Sequence, residues 1–335
     1  MRLGLIGWYG HENVGDERIL YCIKRFFSNY EFYITSGWQD AKYKINELNK
    51  CDYILIGGGG LILRNIGQHT SLINNLKKPF GLLGVSVEAK DKSMEDFLET
   101  IKQKAEFILV RDSQSRKCLD NHYKVIVGPD LTFLYPLDIA NEVKEDICGL
   151  NFRDWYYWSG TLHGPYYNLM KTLNVKFPFI KCLYPFKKWE PSRTVMCIRN
   201  NFKYVLPMPF YFEANTLNDH DVMSRYFQNV PQTFKPDIYN SIHYLIGMRF
   251  HSIVFATQCG VPFISLSYQP KNAEFCSGMG LDILSMDIYE MNKLVDKIEY
   301  VKNNYDRIRR HLISYRERYT RDINYIFQSL SRLIK

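Results

Sequence analysis

Apolar runs of strand length alternate with stretches of helical periodicity through the first half of the chain. The runs cover 2–7, 32–35, 53–56, 80–87, 107–110 and 125–127. Most of them end in glycine or a charged residue, and helical patterns follow several of them. This alternation predicts a parallel β-sheet covered by helices, a Rossmann-like α/β domain.

The alternation resumes after a polar stretch that ends at Glu145. The later apolar runs cover 147–152, 204–209, 242–246 and 261–266. A predicted helix over 252–259 joins the last two, so we expect them to be neighbouring parallel strands. A further helix is predicted over 166–173. We therefore predict two Rossmann-like domains, residues 1–140 and 146–300, which suits a chain of 335 residues.

From residue 292 onward the pattern is helical. Seven apolar side chains at three- and four-residue steps form one stripe: Ile308, Leu312, Tyr315, Tyr319, Ile323, Ile326 and Leu330. Residues 301–335 carry nine Lys or Arg and three Asp or Glu. We expect a long basic amphipathic helix that braces the two domains. Its charge suits an anionic membrane surface or an anionic substrate, and equally a solvated helix face.

Composition restricts the class of protein. Hydrophobic residues make up 46% of the chain, which is enough for two cores. No apolar run approaches the roughly 20 residues of a membrane span, and no signal peptide precedes the first strand. We expect a cytoplasmic protein, with the basic helix as its means of peripheral contact at the inner membrane face. The eight cysteines form no C-x-x-C pair, which disfavours a zinc site or a disulfide framework.

The most informative stretch is Gly247–Ser252, which follows the apolar run 242–246. Polar residues directly after a parallel strand lie at the sheet edge where α/β proteins bind ligands. Arg249 and His251 are therefore predicted site residues, together with Lys271 at the end of the next run. The alternative is structural: Arg249 pairs with a helix carboxylate, and His251 caps a turn.

Other candidates follow the first strand, where Asn13, Gly15 and Asp16 form a loop before a helix. Such a loop presents backbone N–H groups to a ligand, although Asp16 could simply cap a helix that starts at Glu17. The loop has neither the G-x-G-x-x-G spacing nor a G-K-[ST] sequence, so it predicts neither a dinucleotide site nor a P-loop.

The run of four glycines that includes Gly58 and Gly59 follows the strand 53–56. Glycine lets a backbone approach a ligand closely, but the run could equally serve a tight turn from strand to helix.

Two arginines follow strands in the same way as Arg249: Arg111, with Ser113 as the expected helix cap, and Arg153. An arginine in this position can hold a carboxylate or phosphate through two parallel hydrogen bonds. Trp155 begins an aromatic cluster, 155–158, whose flat faces suit a sugar ring. The triplet at 219–221, Asp-His-Asp, could bind a metal, but an acidic helix start is the commoner explanation, and no metal is predicted.

Several motifs together resemble the polysaccharide pyruvyl transferases. In chain order they are Gly7-Trp8-Tyr9-Gly10, Asn13-Val14-Gly15-Asp16-Glu17, the run Gly57–Gly60, Arg111-Asp112-x-x-Ser115, Gly128-Pro129-Asp130-Leu131, Gly247-Met248-Arg249-Phe250-His251 and Tyr268-x-Pro270-Lys271. The resemblance extends over most of the chain and departs in the region 155–205.

The resemblance implies two Rossmann-like domains in a glycosyltransferase-B-like arrangement. It also implies transfer of an enolpyruvyl unit from phosphoenolpyruvate to a sugar, as a ketal. His251 would be the general acid, since its unperturbed pKa is about 6.5. Arg111 would hold the donor carboxylate, and Arg249 and Lys271 the departing phosphate. Phosphoenolpyruvate is then a substrate, no cofactor is needed, and the acceptor is a nucleotide-linked or lipid-linked saccharide.

Two rival functions remain. A nucleotide-sugar glycosyltransferase would also use a cation-lined site, but a proton donor beside Arg249 is harder to justify for simple diphosphate binding. A non-catalytic sugar-binding protein would be expected to lose Arg111, His251 or Lys271, all of which are present. No nucleic-acid partner is predicted, because the chain shows no reading motif.

Overall fold

In the computed structural model the chain forms two compact units. Unit 1 comprises residues 1–138 with 313–335, and unit 2 comprises residues 139–312. The structure describes residues 1–63, 66–87, 92, 94–140, 146–155, 189, 191–214 and 216–334. The predicted helix over 166–173, the aromatic residues 156–158 and the polar residues 141–145 lie outside these ranges.

Unit 1 contains a six-stranded parallel sheet with the strand order β2-β1-β3-β4-β5-β6. Its strands are β1 (Arg2–Gly7), β2 (Glu31–Ser36), β3 (Tyr53–Ile62), β4 (Phe80–Val87), β5 (Ile108–Val110) and β6 (Val125–Val127). Its helices before residue 138 are α1 (Val14–Phe26), α2 (Gly37–Tyr43), α3 (Ile45–Leu48), α4 (Thr70–Asn75), α5 (Glu95–Lys104) and α6 (Ser113–Cys118), with 3-10 turns at Ile66–His69 and Leu131–Leu134. The strand β4 is buried along its whole length, as expected for a parallel strand covered on both faces.

The glycine run 57–60 lies inside β3, so it does not form the strand-to-helix turn that was one of its two interpretations. A Cβ atom on Gly58 would lie 2.2 Å from Cγ2 of Ile19, and one on Gly59 would lie 2.6 Å from Oδ1 of Asp16. Both glycines also have positive φ, +39° and +84°. Because Ile19 and Asp16 belong to α1, the glycines allow that helix to pack directly on the strand backbone.

Two helix caps differ from the residues considered for them from the sequence. Asn13, and not Asp16, is the N-cap of α1, since its side chain accepts from the Gly15 N–H at 3.2 Å. Asp112, and not Ser113, is the N-cap of α6 and accepts from the Ser115 N–H at 2.6 Å. Each helix starts earlier in the chain than its apolar pattern indicated, so its N-cap is also an earlier residue.

Unit 2 contains a five-stranded parallel sheet with the strand order β11-β10-β9-β7-β8. Its strands are β7 (Ile147–Asn151), β8 (Tyr204–Pro207), β9 (Tyr244–Gly247), β10 (Phe263–Ser267) and β11 (Ser285–Asp287). Its first helices are α7 (Pro191–Asn201), α8 (Asp219–Met223), α9 (Phe250–Cys259) and α10 (Pro270–Gly278), with 3-10 turns at Pro236–Ser241, Asp282–Leu284 and Met291–Lys293. The predicted pairing of β9 with β10 as parallel neighbours joined by a helix is confirmed.

The joining helix α9 is buried at every one of its ten positions. It starts at Phe250, two residues before the predicted start, so His251 lies in its first turn and not in the preceding loop. Gly260 ends the helix in the left-handed conformation, with φ +68°. A helix that is buried on every side belongs to the core, so the residues at the N-terminus of α9 are held by its packing.

Two helices occupy the C-terminal part of the described chain: α11 (Leu294–Asn303) and α12 (Tyr305–Leu330). The predicted apolar stripe is largely confirmed, with Ile308, Leu312 and Ile323 buried. Residues of α12 up to Leu312 are grouped with unit 2, and those from Ile313 onward with unit 1. Within the part of the chain that the structure describes, no helix combines the length and apolarity needed to cross a membrane.

Some of the arginines of α12 attach the helix to neighbouring backbone through hydrogen bonds. The Arg309 guanidinium donates to the carbonyl oxygens of Gly260 and Ala140, at 2.8 and 2.6 Å, within unit 2. Arg316 donates to the Leu137 carbonyl at 3.0 Å within unit 1. The exposed arginines that remain on α12 are Arg307, Arg310, Arg318 and Arg321. Membrane contact through this helix stays a prediction.

Candidate active site

The carboxyl ends of β7, β9 and β10 lie side by side in unit 2. Asn151 ends β7, and its side-chain Oδ1 accepts from the Arg249 N–H at 2.8 Å. Its Nδ2 donates to the Met208 carbonyl at 2.7 Å, so the fully buried amide links three chain segments. Asn272 adds a further link, from Nδ2 to the Met248 carbonyl at 2.9 Å. The segment that carries Arg249 is thus fixed by hydrogen bonds to its backbone.

The Arg249 guanidinium forms a buried ion pair with Asp219, the first residue of α8. Nε lies 3.1 and 3.0 Å from the two carboxylate oxygens, and Nη2 lies 2.5 Å from Oδ1. Burial opposes the positive charge, but Asp219 outweighs it and raises the pKa of Arg249. The structural alternative considered for Arg249, a pair with a helix carboxylate, is therefore observed. It does not exclude substrate contact, since Nη1 takes no part in these bonds.

The same pair explains the acidic triplet at 219–221. Asp219 is fully buried and also accepts from the Phe210 N–H at 3.1 Å. Asn218 caps α8 by accepting from the Asp221 N–H at 2.8 Å. In the described ranges no cluster of His, Cys, Asp and Glu side chains is arranged to hold a metal ion. The acidic residues begin a helix and neutralise Arg249.

Arg153, two residues after β7, occupies a different environment. Its guanidinium carbon lies 5.5 Å from the Trp155 ring and 6.0 Å from the Tyr268 ring. Burial, followed by the charge of Arg249, lowers the pKa of Arg153. Among the residues that the structure describes, no carboxylate forms an ion pair with it.

Tyr268 lies at the centre of this group. Its ring packs edge-on against Trp155, with centroids 4.7 Å apart, and Lys271 Nζ lies 5.8 Å from its centroid. Burial alone would raise the pKa of Tyr268, but Lys271, Arg153 and Arg249 together lower it. Three cations thus act on the same phenol at the carboxyl edge of the sheet.

His251 follows Arg249 by two residues and is only 9% exposed. Its imidazole packs against the rings of Phe250 and Phe255, with centroids 5.3 and 6.0 Å away. The helix start therefore holds the imidazole in place beside the cationic residues of the same sheet edge.

The predicted residues of the first half lie in unit 1. Arg111 follows β5, and its side chain is 3% exposed. Nε donates to Ser86 Oγ at 2.6 Å, and Nη1 lies 3.2 Å from Oδ2 of Asp130. Ser86 Oγ in turn donates to Asp112 at 2.8 Å. Arg111 thus contacts the ends of β4, β5 and β6 at once, as an ordered and largely buried group.

The structure sorts the predicted residues into two sets. Unit 2 contains Arg153, Trp155, Arg249, His251 and Lys271. Unit 1 contains the remaining six: Asn13, Gly15, Asp16, Gly58, Gly59 and Arg111.

Four residues that position this site were not predicted as members of it: Asn151, Asp219, Tyr268 and Asn272. Tyr268 could have been found, because it is an aromatic residue between a strand end and Lys271.

The fold is that of the glycosyltransferase-B-like proteins, as predicted. Anabaena HepE, solved in complex with UDP-glucose, superposes with a TM-score of 0.63 at 8% identity, and 100% of this chain and 99% of that chain are covered. A putative UDP-N-acetylglucosamine 2-epimerase from Listeria monocytogenes gives 0.53 at 10% identity over 98% and 97% of the two chains. MnaA from S. aureus, solved with UDP, gives 0.51 at 10% identity over 93% and 90%. At such identities the likeness concerns the fold alone.

Sequence comparison identifies the family. The model of the polysaccharide pyruvyl transferases matches residues 13–270, which is more than half of the chain and includes Arg111, Arg249 and His251. The chain belongs to the polysaccharide pyruvyl transferase family, as the motifs predicted. No curated protein matches the sequence.

Proposed function

We propose that the protein transfers a pyruvyl group from phosphoenolpyruvate to a saccharide and forms a ketal on two of its hydroxyls. The observation that carries this proposal is the gathering of Arg153, Arg249, Lys271 and His251 at one sheet edge, inside a segment that the family match covers up to residue 270. Phosphoenolpyruvate carries a carboxylate and a phosphate, and a group of cations beside a proton donor suits both.

The chemistry assigns a role to each group. His251 protonates the methylene carbon of the enol, and C2 becomes electrophilic. A sugar hydroxyl adds to C2 and loses its proton, the C2–O bond to phosphate breaks, and a second hydroxyl of the same sugar closes the ketal. Of the two hydroxyl protons released, one replaces the proton taken from His251 and the other leaves with phosphate.

The cations stabilise the negative charge that develops on the leaving phosphate. Asp219 engages Nε and Nη2 of Arg249, so that Nη1 is the atom with which Arg249 would donate to a phosphate oxygen. Lys271, at the start of α10, supplies a second charge from the neighbouring strand end. Fixed donors of this kind act without reorganisation during the reaction.

The decisive experiment is to incubate the purified protein with phosphoenolpyruvate and a panel of UDP-linked and lipid-linked sugars. Phosphate release that depends on the acceptor, together with a mass gain of one pyruvate ketal on that acceptor, is expected. Absence of both with every acceptor class would contradict the proposal.

A second candidate is transfer of a sugar from a nucleotide donor. The observation that favours it is that proteins of this fold have been solved with UDP or UDP-glucose bound. UDP release from a UDP-sugar in the absence of phosphoenolpyruvate would identify this activity, whereas pyruvyl transfer to a UDP-sugar releases no UDP.

A further inference from the structure

Two buried N–H groups lie close together in the loop after β7. They are Nε of Arg153 and Nε1 of Trp155, and neither has a hydrogen-bond acceptor among the residues that the structure describes. The two side chains are in contact, since the Arg153 guanidinium carbon lies 5.5 Å from the Trp155 ring. A buried donor without an acceptor is unfavourable, and native proteins rarely keep two of them together without a function.

The two arginines predicted to bind the donor differ from Arg153 in this respect. Arg249 has its carboxylate partner in Asp219, and Arg111 has its partner in Asp130. Their positive charges are therefore largely balanced within the protein. In the described part of unit 2 no carboxylate pairs with Arg153, and its guanidinium lies against the rings of Trp155 and Tyr268. The charge with the greatest capacity to attract an external anion is thus that of Arg153.

The surroundings of Arg153 add to this capacity. Lys271 follows β10 at the same sheet edge, and its Nζ lies 5.8 Å from the centroid of the same Tyr268 ring. The positive charges of Lys271, Arg153 and Arg249 all act on Tyr268 and lower its pKa, so Arg153 belongs to a cationic group.

We propose that Arg153 and Trp155 form an oxyanion-binding subsite, in which the guanidinium Nε–H and the indole N–H both donate to one carboxylate or phosphate group of the substrate. Tyr268 is a positioning residue of this subsite, because its ring centroid lies 6.0 Å from the Arg153 guanidinium carbon and 5.8 Å from Lys271 Nζ. The subsite depends on the proposed function only in the identity of the molecule that carries the anion. Phosphoenolpyruvate and the diphosphate of a UDP-sugar offer the same chemistry.

The test is calorimetric titration of the full-length protein with inorganic phosphate, phosphoenolpyruvate and UDP in separate experiments. Trp155→Phe removes the indole N–H and keeps an aromatic face, so a role in stacking on a sugar ring would not affect these titrations. Arg153→Gln removes the charge. Arg199→Gln is the matched control, because Arg199 is an exposed arginine in the last turn of α7, the helix that leads to the amino end of β8.

We expect Trp155→Phe to weaken binding of phosphoenolpyruvate about 5- to 10-fold and Arg153→Gln about 100-fold, as for loss of a neutral and of a charge-assisted hydrogen bond. Arg199→Gln should change it less than about twofold. Thermal midpoints and circular dichroism establish that each variant is folded.

The three titrations distinguish failure of the subsite from failure of the proposed function. Loss of phosphoenolpyruvate and phosphate binding, with UDP unaffected, supports the subsite as part of the pyruvyl donor site. Loss confined to UDP supports an oxyanion subsite but overturns its assignment to phosphoenolpyruvate, whereas the proposed function stands because phosphoenolpyruvate still binds. Wild-type affinity for all three anions in both Trp155→Phe and Arg153→Gln, or no binding of any of them by the wild type, overturns the subsite itself.

Discussion

Asp219→Asn tests how much the buried pair with Arg249 contributes to the stability of unit 2. The carboxylate is fully buried and accepts three hydrogen bonds from Arg249 and one from the Phe210 N–H. The substitution keeps the shape of the side chain but leaves a buried guanidinium without its counter-charge. Breaking a buried pair in this way costs about 3–5 kcal/mol.

For a unit of this size, the loss corresponds to a fall of about 6–20 °C in the thermal midpoint. Scanning calorimetry measures it, and hydrogen exchange assigns the transition, because two units need not unfold together. Asp221→Asn makes the same chemical change at a side chain that is 60% exposed, and should cost less than about 1 kcal/mol.

The double variant Asp219→Asn with Arg249→Met completes the test. Removing the guanidinium as well abolishes the uncompensated charge, so stability should recover in large part relative to Asp219→Asn alone. Equal midpoints for Asp219→Asn and Asp221→Asn, or a double variant no more stable than the single one, would refute the reasoning.

Three further predictions concern single side chains. His251→Gln should lower the transfer rate about 10²- to 10⁴-fold with phosphoenolpyruvate affinity retained, and a rate above about a tenth of wild type would exclude the general-acid role. Tyr268→Phe should remove a tyrosine that ionises below about pH 10 in an absorbance titration. Because its folded pKa is lowered, the phenolate stabilises the wild type above the folded value, and the stability difference between the two proteins should grow as pH rises towards about 10 and vanish as it falls. Gly58→Ala should destabilise unit 1 by about 1–3 kcal/mol in chemical unfolding, whereas Gly60→Ala, whose Cβ meets no atom within 4 Å, should change stability by less than about 0.5 kcal/mol.

The elements that carry the site could be predicted because their patterns are local. The apolar run before Gly247, the helical segment after it and the next run before Lys271 all lie within some thirty residues of sequence, and short connections in α/β folds make such strands neighbours. The family motifs then identified the polar residues at the strand ends.

The partners of these residues could not be predicted in the same way. Asp219 is thirty residues from Arg249, and Asn151 is ninety-eight residues from it, and neither separation has a periodicity that signals contact. The glycine run in β3 was misplaced for a related reason. Its requirement for small residues comes from Ile19 and Asp16 of a distant helix, and not from the local chain direction.

The division of α12 between the units bears on how the chain can fold during synthesis. In unit 1 the Phe327 ring packs against Phe26, with centroids 5.0 Å apart, and Ile326 lies over Gly128. These partners are translated only after the whole of unit 2, residues 139–312. During synthesis, part of the apolar surface of residues 1–138 therefore stays uncovered until residues 313–335 are made. Unit 2 can thus complete its fold before unit 1 does.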